Sequence, residues 1–223
     1  GNLSYEVIIV DRCQDRIGDE IDKEHPAVKR LTCSADTSLP AMRTQALGRA
    51  GGRFIVVTED HCVPAVDWLE SFSSQFKKAP PETAAVGGCV NNGVAGSAFD
   101  RATYFCEYGA FAEPVAEGVT SNLPGMNIAY RHEALKAFDA GTLERGFWES
   151  TIHPELLNKG HVFYSSNRVR ITHCKKFTFG LFARQRFLYS RYYADMRYPP
   201  RQVLVRAAAS LVTIVLPVLL LFR

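Results

Sequence analysis

Two strand ends in this sequence carry acids. The run YEVIIVD (Tyr5–Asp11) stops on Asp11, and RFIVVT (Arg53–Thr58) is followed at once by Glu59, Asp60 and His61. In open α/β sheets, ligands bind beyond the carboxyl ends of the strands. Carboxylates in that place repel bare phosphates unless a divalent cation stands between them. The Glu59-Asp60-His61 cluster therefore points to a nucleotide site whose diphosphate is held through a metal. The same three residues also read as a solvated turn that caps the following helix. No GxGxxG follows a strand and no GxxxxGK[ST] is present, which argues against dinucleotide-binding and P-loop chemistry. The six cysteines, Cys13, Cys33, Cys62, Cys89, Cys106 and Cys174, contain no CxxC pair, so neither a zinc knuckle nor a thioredoxin-type motif is supported. Reduced cytosolic thiols are the default.

The elements that must position these groups alternate. Strands are expected at Tyr5–Asp11, Ala27–Cys33, Arg53–Thr58 and Ala84–Asn91, with helices at Gln14–Lys23 and Leu39–Ala50. Pro64 is expected to open a further helix whose apolar face is Ala65, Leu69, Phe72 and Phe76, stopped by Pro80-Pro81. This alternation predicts an α/β fold with a mostly parallel sheet flanked by helices. The second half is less regular. It reads as a helix at Gly96–Ala110, a loop at Glu113–Pro124, a strand at Met126–Tyr130 and helices at His132–Phe138 and Thr151–Lys159. Strands at His161–Tyr164 and Val169–His173 and a helix at Phe179–Arg197 complete it.

The 223 residues carry a net charge of +3, an average over unlike parts. Residues 1–167 balance at −7 and residues 168–206 at +9. The basic segment, taken as 175–202, interleaves Arg184, Arg186, Arg191 and Arg197 with eight aromatic residues between Phe177 and Tyr198. Such a pattern binds single-stranded nucleic acid or lies in a membrane interface. The apolar run that follows, residues 203–222 with Arg206 as its only charge, favours membrane lipids over nucleic acid. About twenty helical residues span a bilayer core, so 203–222 is expected to be a transmembrane helix; a buried core helix is the alternative. Basic residues ahead of a span favour the cytoplasmic side, which predicts a membrane protein with its main domain, residues 1–174, in the cytoplasm. A secretory signal is not seen. The sequence opens without Met, almost on a strand, and ends one residue after the apolar run, which reads as a fragment cut at both ends.

Five blocks in order carry a family resemblance: YEVIIVDRCQD, the stretch LPAMRTQALGRAGGRFIVVTEDHCVPAVDWLESF, VGGCV, LPGMNIAYRHEAL, and GFWE with LLNKG. From Tyr5 to His173 the chain resembles the family-two glycosyltransferases of the GT-A fold, with the family's first strand missing. The resemblance implies that Asp11 contacts the uracil of a nucleotide-sugar donor and that Arg43 lies near the nucleotide, with Thr44 where the family has Asn. It places Glu59, Asp60 and His61 at the DxD position, where the first acid contacts the donor ribose and the last residue binds the metal. Since His61 stands last, either it ligates a softer ion, with Mn²⁺ favoured over Mg²⁺, or Asp60 substitutes, or the site needs no metal. His173 resembles a histidine that adds a metal or phosphate contact; a histidine capping a strand is the plain alternative.

The family's catalytic base is the Asp of an ED pair eleven residues before the Gly that ends the next helix. Counting back from Gly160 lands on Glu149, preceded by Trp148 instead of a second acid. Glu149 is the expected base, and a helix-start acid favoured by the macrodipole is the alternative. LPGMNIAY resembles the acceptor side, so Gly125 and Asn127 are expected there, with Trp148 and His153 as further lining; a structural turn fits Gly125 and Asn127 equally. The Gln-x-x-Arg-Trp motif of processive synthases is not present in its usual form, which favours transfer of a single sugar. The resemblance thus implies an inverting glycosyltransferase that moves a sugar from a nucleoside diphosphate donor to a lipid-linked or cell-surface glycan acceptor. A degenerate, non-catalytic member that scaffolds a membrane complex is the competing expectation.

Overall fold

The computed structural model describes residues 3–13, 15–94, 96–197, 203–205 and 207–208. The chain divides into two units, one ending at Lys176 and one beginning at Phe177. The first unit opens with β1 (Ile8–Asp11), α1 (Arg16–Glu24), β2 (Lys29–Thr32), α2 (Leu39–Leu47), β3 (Phe54–Val57), β4 (Cys62–Pro64), α3 (Trp68–Lys78) and β5 (Thr83–Asn92). It continues with α4 (Ala98–Tyr108), β6 (Gly118–Thr120), β7 (Ile128–Arg131), α5 (His132–Lys136), α6 (Ala140–Glu144), α7 (Trp148–Asn158) and β8 (Val162–His173).

β1 and β2 form a separate parallel pair, while the other six strands make one sheet in the order β3-β7-β5-β8-β4, with β6 added alongside β8. The sheet is mixed. β5 and β8 pair in parallel, and β7 runs antiparallel between β3 and β5, as β4 and β6 do against β8. Period-two alternation then sorts the side chains. Ile128 and Tyr130 turn to the face covered by Leu135, Trp148, Ile152 and Leu156. Ala129, Val86, Val90, Val169 and Ile171 turn to the face covered by Trp68, Phe72 and Phe76 of α3. Helices on both faces of the sheet give the three-layer α/β arrangement.

Pro64 does not open a helix. It is the last residue of β4, whose three residues pair with Thr172, Ile171 and His173 of β8. An edge strand tolerates a proline because no neighbour needs its missing N–H, and α3 starts four residues later with Trp68 as its first buried residue. The two strands expected at 161–164 and 169–173 are one strand, β8, with a register shift opposite Gly88 and Cys89. Gly88 allows it, because a Cβ there would lie 2.2 Å from the Val169 carbonyl oxygen.

The second unit contributes α8 (Phe179–Arg197). Phe179 is 76% and Phe187 66% exposed, and the Arg186 guanidinium stands 5.0 Å from the Tyr189 ring centroid. Apart from 203–205 and 207–208, the run expected to cross a membrane lies outside the described residues. Among the described residues no helix is long and apolar enough to cross one.

Candidate active site and metal centre

β3 delivers the chain to Glu59, and the turn beyond it is fixed by main-chain bonds: Cys62 N–H donates to the Glu59 carbonyl at 3.0 Å and Cys174 N–H to that of His61 at 2.8 Å. Glu59 and His61 belong to one tight turn between β3 and β4, which brings their side chains together. The β4–β8 register sets Cys62 opposite His173, so a residue remote in sequence joins them. One ligand atom each from Glu59, His61 and His173 lies within 4.8 Å of the others. His61 Nε2 is 3.0 Å from Glu59 Oε2 and its Nδ1 2.7 Å from Asp60 Oδ1. The His173 ring meets that of His61 edge-on at 4.7 Å and lies 4.5 Å from that of Tyr108.

The electrostatics fit a cation. The hydrogen bond to Glu59 raises the His61 pKa against the opposing effect of burial, with Asp60 adding to the rise. Each ring nitrogen faces a carboxylate oxygen, and a metal bound at Nε2 would need that nitrogen free of its proton. Burial pushes the Glu59 carboxyl up, but the His61 hydrogen bond and the His61 and Arg43 charges outweigh it and hold the carboxyl below its ordinary range. Burial, reinforced by the charge of His61, drives His173 down to about 4. Its Nε2 is buried without a hydrogen-bond partner, at a cost of roughly 1–3 kcal/mol for an unsatisfied polar group. A neutral imidazole with a free ring nitrogen beside a carboxylate and a second imidazole matches the donor set of a borderline divalent ion. Asp60 is different: its side chain is 96% exposed and it stands outside the cluster. Glu59, expected on the ribose, lies in the cluster, and Asp60 touches His61 from the solvent side.

The second carboxylate sits in α7, where Glu149 occupies the first turn. Arg43 of α2 donates from Nη1 to Glu149 Oε1 at 3.0 Å and from Nη2 to the Gly125 carbonyl at 3.3 Å. Its guanidinium lies 5.8 Å from the Trp148 ring centroid. Burial opposes the charge on Arg43, yet Glu149, Tyr130 and Glu59 together outweigh it, so its pKa rises. Arg43 thus links the two carboxylate sites electrostatically. Gly125 leaves room for this carboxylate: a Cβ there would lie 1.5 Å from Glu149 Oε1 and would displace it. Gly125, expected on the acceptor side, is approached closely by Glu149.

Three other expected acceptor residues are in the core. Asn127 is fully buried; its Oδ1 accepts from Trp68 Nε1 at 2.8 Å and its Nδ2 donates to the carbonyls of Cys89 and Val169. It ties α3 to β5 and β8 and is out of reach of a sugar. Trp148 is buried under Tyr130, with Nε1 donating to the Leu143 carbonyl at 3.0 Å. His153 is buried with its Nε2 2.7 Å from the Tyr130 hydroxyl. Each type suits a sugar pocket and a core equally, and only packing distinguishes them.

Asp11 ends β1, where Arg30 Nη1 of β2 holds its Oδ2 at 3.0 Å and its Oδ1 accepts from Cys13 N–H at 2.8 Å. Arg30 also pairs with Asp22 at 2.6 Å. Reading the sequence missed Arg30 and the Tyr108 ring against His173; nothing in their spacing distinguishes them from other strand and helix residues. Thr44 spends its hydroxyl on the Pro40 carbonyl at 2.9 Å.

Similar folds occur among solved structures. GalNAc-T7, solved with UDP, GalNAc and Mn²⁺, superposes with a TM-score of 0.57 over 77% of this chain at 14% identity. The mannosyltransferase PcManGT from Pyrobaculum calidifontis, solved with GDP-Man and Mn²⁺, does so with a TM-score of 0.53 over 93% at 19% identity. At these identities the likeness is one of fold, and the chain spans only 38% of the first structure and 65% of the second. No curated protein matches the sequence closely. Residues 2–139, more than half of the sequence, match the family described as Glycosyl transferase family 2, the stretch that holds Asp11, Arg43, Glu59, His61 and Gly125. With that match and the α/β fold around its strand-end acids, the chain belongs to glycosyl transferase family 2.

Proposed function

We propose that this chain is an inverting, hexosyltransferase-like enzyme that transfers a sugar from a nucleoside diphosphate donor, UDP-linked, to a lipid-linked or cell-surface glycan acceptor at the cytoplasmic face of a membrane. The observation that carries the reading is the grouping of Glu59, His61 and His173 within 4.8 Å, coupled through Arg43 to Glu149. Glu59, His61 and His173 would hold a divalent ion, and two imidazoles favour Mn²⁺ over Mg²⁺; both solved structures named above contain Mn²⁺. When bound, such an ion neutralises the charge of a departing diphosphate.

The protein groups supply the rest. Arg43 occupies Oε1 of Glu149 and orients the carboxylate, leaving Oε2 to take the acceptor hydroxyl proton. The acceptor oxygen then bonds to the anomeric carbon from the side opposite the breaking bond to the diphosphate, which inverts that centre. The uridine preference rests on Asp11 and the family resemblance. The membrane assignment rests on the cationic, aromatic α8 with Phe179 and Phe187 exposed and on the apolar run after it.

A second reading, a non-catalytic scaffold that binds nucleotide-sugar or glycan, draws on His61 at the last DxD position and on Trp148 in place of the acid of the ED pair. Incubation with UDP-sugars and Mn²⁺ separates the two. The enzyme releases UDP, and Glu149→Gln lowers turnover by roughly a thousandfold while UDP affinity stays within about twofold of wild type. No UDP release under any metal or acceptor favours the scaffold, and retained turnover in Glu149→Gln removes that residue as the base.

A further inference from the structure

The end of β3 remote from Glu59 has the opposite character. Gly51 and Gly52 lead into Arg53 there, and the antiparallel β7 brings Arg131 opposite Phe54. With Lys136 of α5 they line an open cleft of about 250 Å³. Arg131 and Arg53 are oriented without carboxylates. The Arg53 guanidinium stands 5.3 Å from the Phe54 ring centroid, and that of Arg131 lies 6.0 Å from Phe54 and 5.2 Å from Phe76. The two rings are stacked at 4.3 Å. Arg131 is further fixed by Nε donating to the Thr83 carbonyl at 2.7 Å, and His132 by Nδ1 bonding the Gly52 carbonyl at 2.8 Å.

Glu133 is the sole acid lining this cleft. Among the described residues Arg53, Arg131 and Lys136 form no ion pair with it or with any other carboxylate. Three cations gathered around one cleft repel one another, and an anion entering it relieves that repulsion while accepting guanidinium hydrogen bonds. The volume lies below the roughly 300–1,000 Å³ of sites for drug-sized ligands and suits a small anion. Six residues of extended chain separate Arg53 from Glu59, about 20 Å, so the diphosphate of one donor does not occupy both ends.

We propose that the Arg53, Arg131 and Lys136 cleft is a second anion site, distinct from the donor site, that takes a phosphate group carried by a soluble phosphorylated molecule or a phospholipid headgroup. Calorimetric titration of the full chain with inorganic phosphate, with EDTA present so that no metal bridges phosphate to the opposite end, tests it. Wild type binds phosphate, and the charge reversal Arg53→Glu with Lys136→Glu, at two exposed positions, weakens binding by at least about tenfold. The milder pair Arg53→Gln with Lys136→Gln gives a smaller loss and serves if the reversal disturbs folding. Sedimentation with phosphatidic acid against phosphatidylcholine vesicles separates the sources. Phosphate binding lost with vesicle binding unaltered supports a soluble ligand, whereas loss of both supports a headgroup. Equal phosphate affinity in wild type and variants, or no phosphate binding to wild type, overturns the proposal.

Discussion

His153 and His173 invite comparison because burial drives both to a pKa of about 4. His153 sits in the layer between α7 and the sheet, its Nε2 2.7 Å from the Tyr130 hydroxyl and its ring 4.7 Å from that of Phe163. His173 sits at the end of β8 with Nε2 unpartnered, facing Glu59 and His61. The same residue type, equally discharged, is a satisfied core group in one place and an unspent donor in the other. Depth of burial does not separate a satisfied histidine from an unspent one; what its ring nitrogens touch does.

Metal affinity should split the pair most widely. His173→Ala is expected to weaken Mn²⁺ binding by roughly a hundredfold, while His153→Gln leaves it within about twofold; paramagnetic titration reads both. Comparable losses would erase the distinction drawn here. Stability in EDTA should order them the other way. His153→Ala removes core packing and strands the Tyr130 hydroxyl, an expected cost of about 2–4 kcal/mol in urea denaturation. His173→Ala removes an unsatisfied buried nitrogen and should cost less than about 1 kcal/mol.

Acid should then expose what the two share. The folded pKa of His153, about 4, lies below its ordinary 6.5, so the unfolded chain takes up a proton first. The stabilisation is complete above pH 6.5 and is lost as the pH falls toward 4, by about 3 kcal/mol for this group. In His153→Gln the stability slope across that window should be shallower than in wild type, measured at a fixed EDTA concentration. An unchanged slope means that the residue does not titrate as its burial requires. The smallest effect is expected at Asp60, whose carboxylate touches His61 from solvent. Asp60→Ala should weaken Mn²⁺ binding only a few-fold, against roughly a hundredfold for Glu59→Gln. A larger effect at Asp60 would return it to the set of ligands.

Much of the fold was legible because hydrophobic periodicity and punctuation are local. YEVIIVD and RFIVVT show as strands, Pro80-Pro81 as a stop, and the acids at strand ends as candidates, all from neighbours in the chain. The errors fall where one residue type has two uses. Pro64 begins helices and ends edge strands, and the pairing of β4 with β8 settled which. Asn127 and Trp148 have hydrogen-bonding groups and flat surfaces that suit a sugar, yet Trp68, Cys89, Val169 and Leu143 claim their polar atoms.

By itself the sequence determined the α/β alternation, the chemistry available at Asp11, Glu59, His61 and Glu149, and the split between an acidic body and a cationic aromatic segment. Only the tertiary structure decided that Glu59 turns inward while Asp60 turns out, that His173 completes their cluster, and that Arg43 grips Glu149 from 106 residues away. The physical reason is that composition and spacing fix which groups a segment offers, whereas strand register and helix packing over long separations fix which of those groups meet.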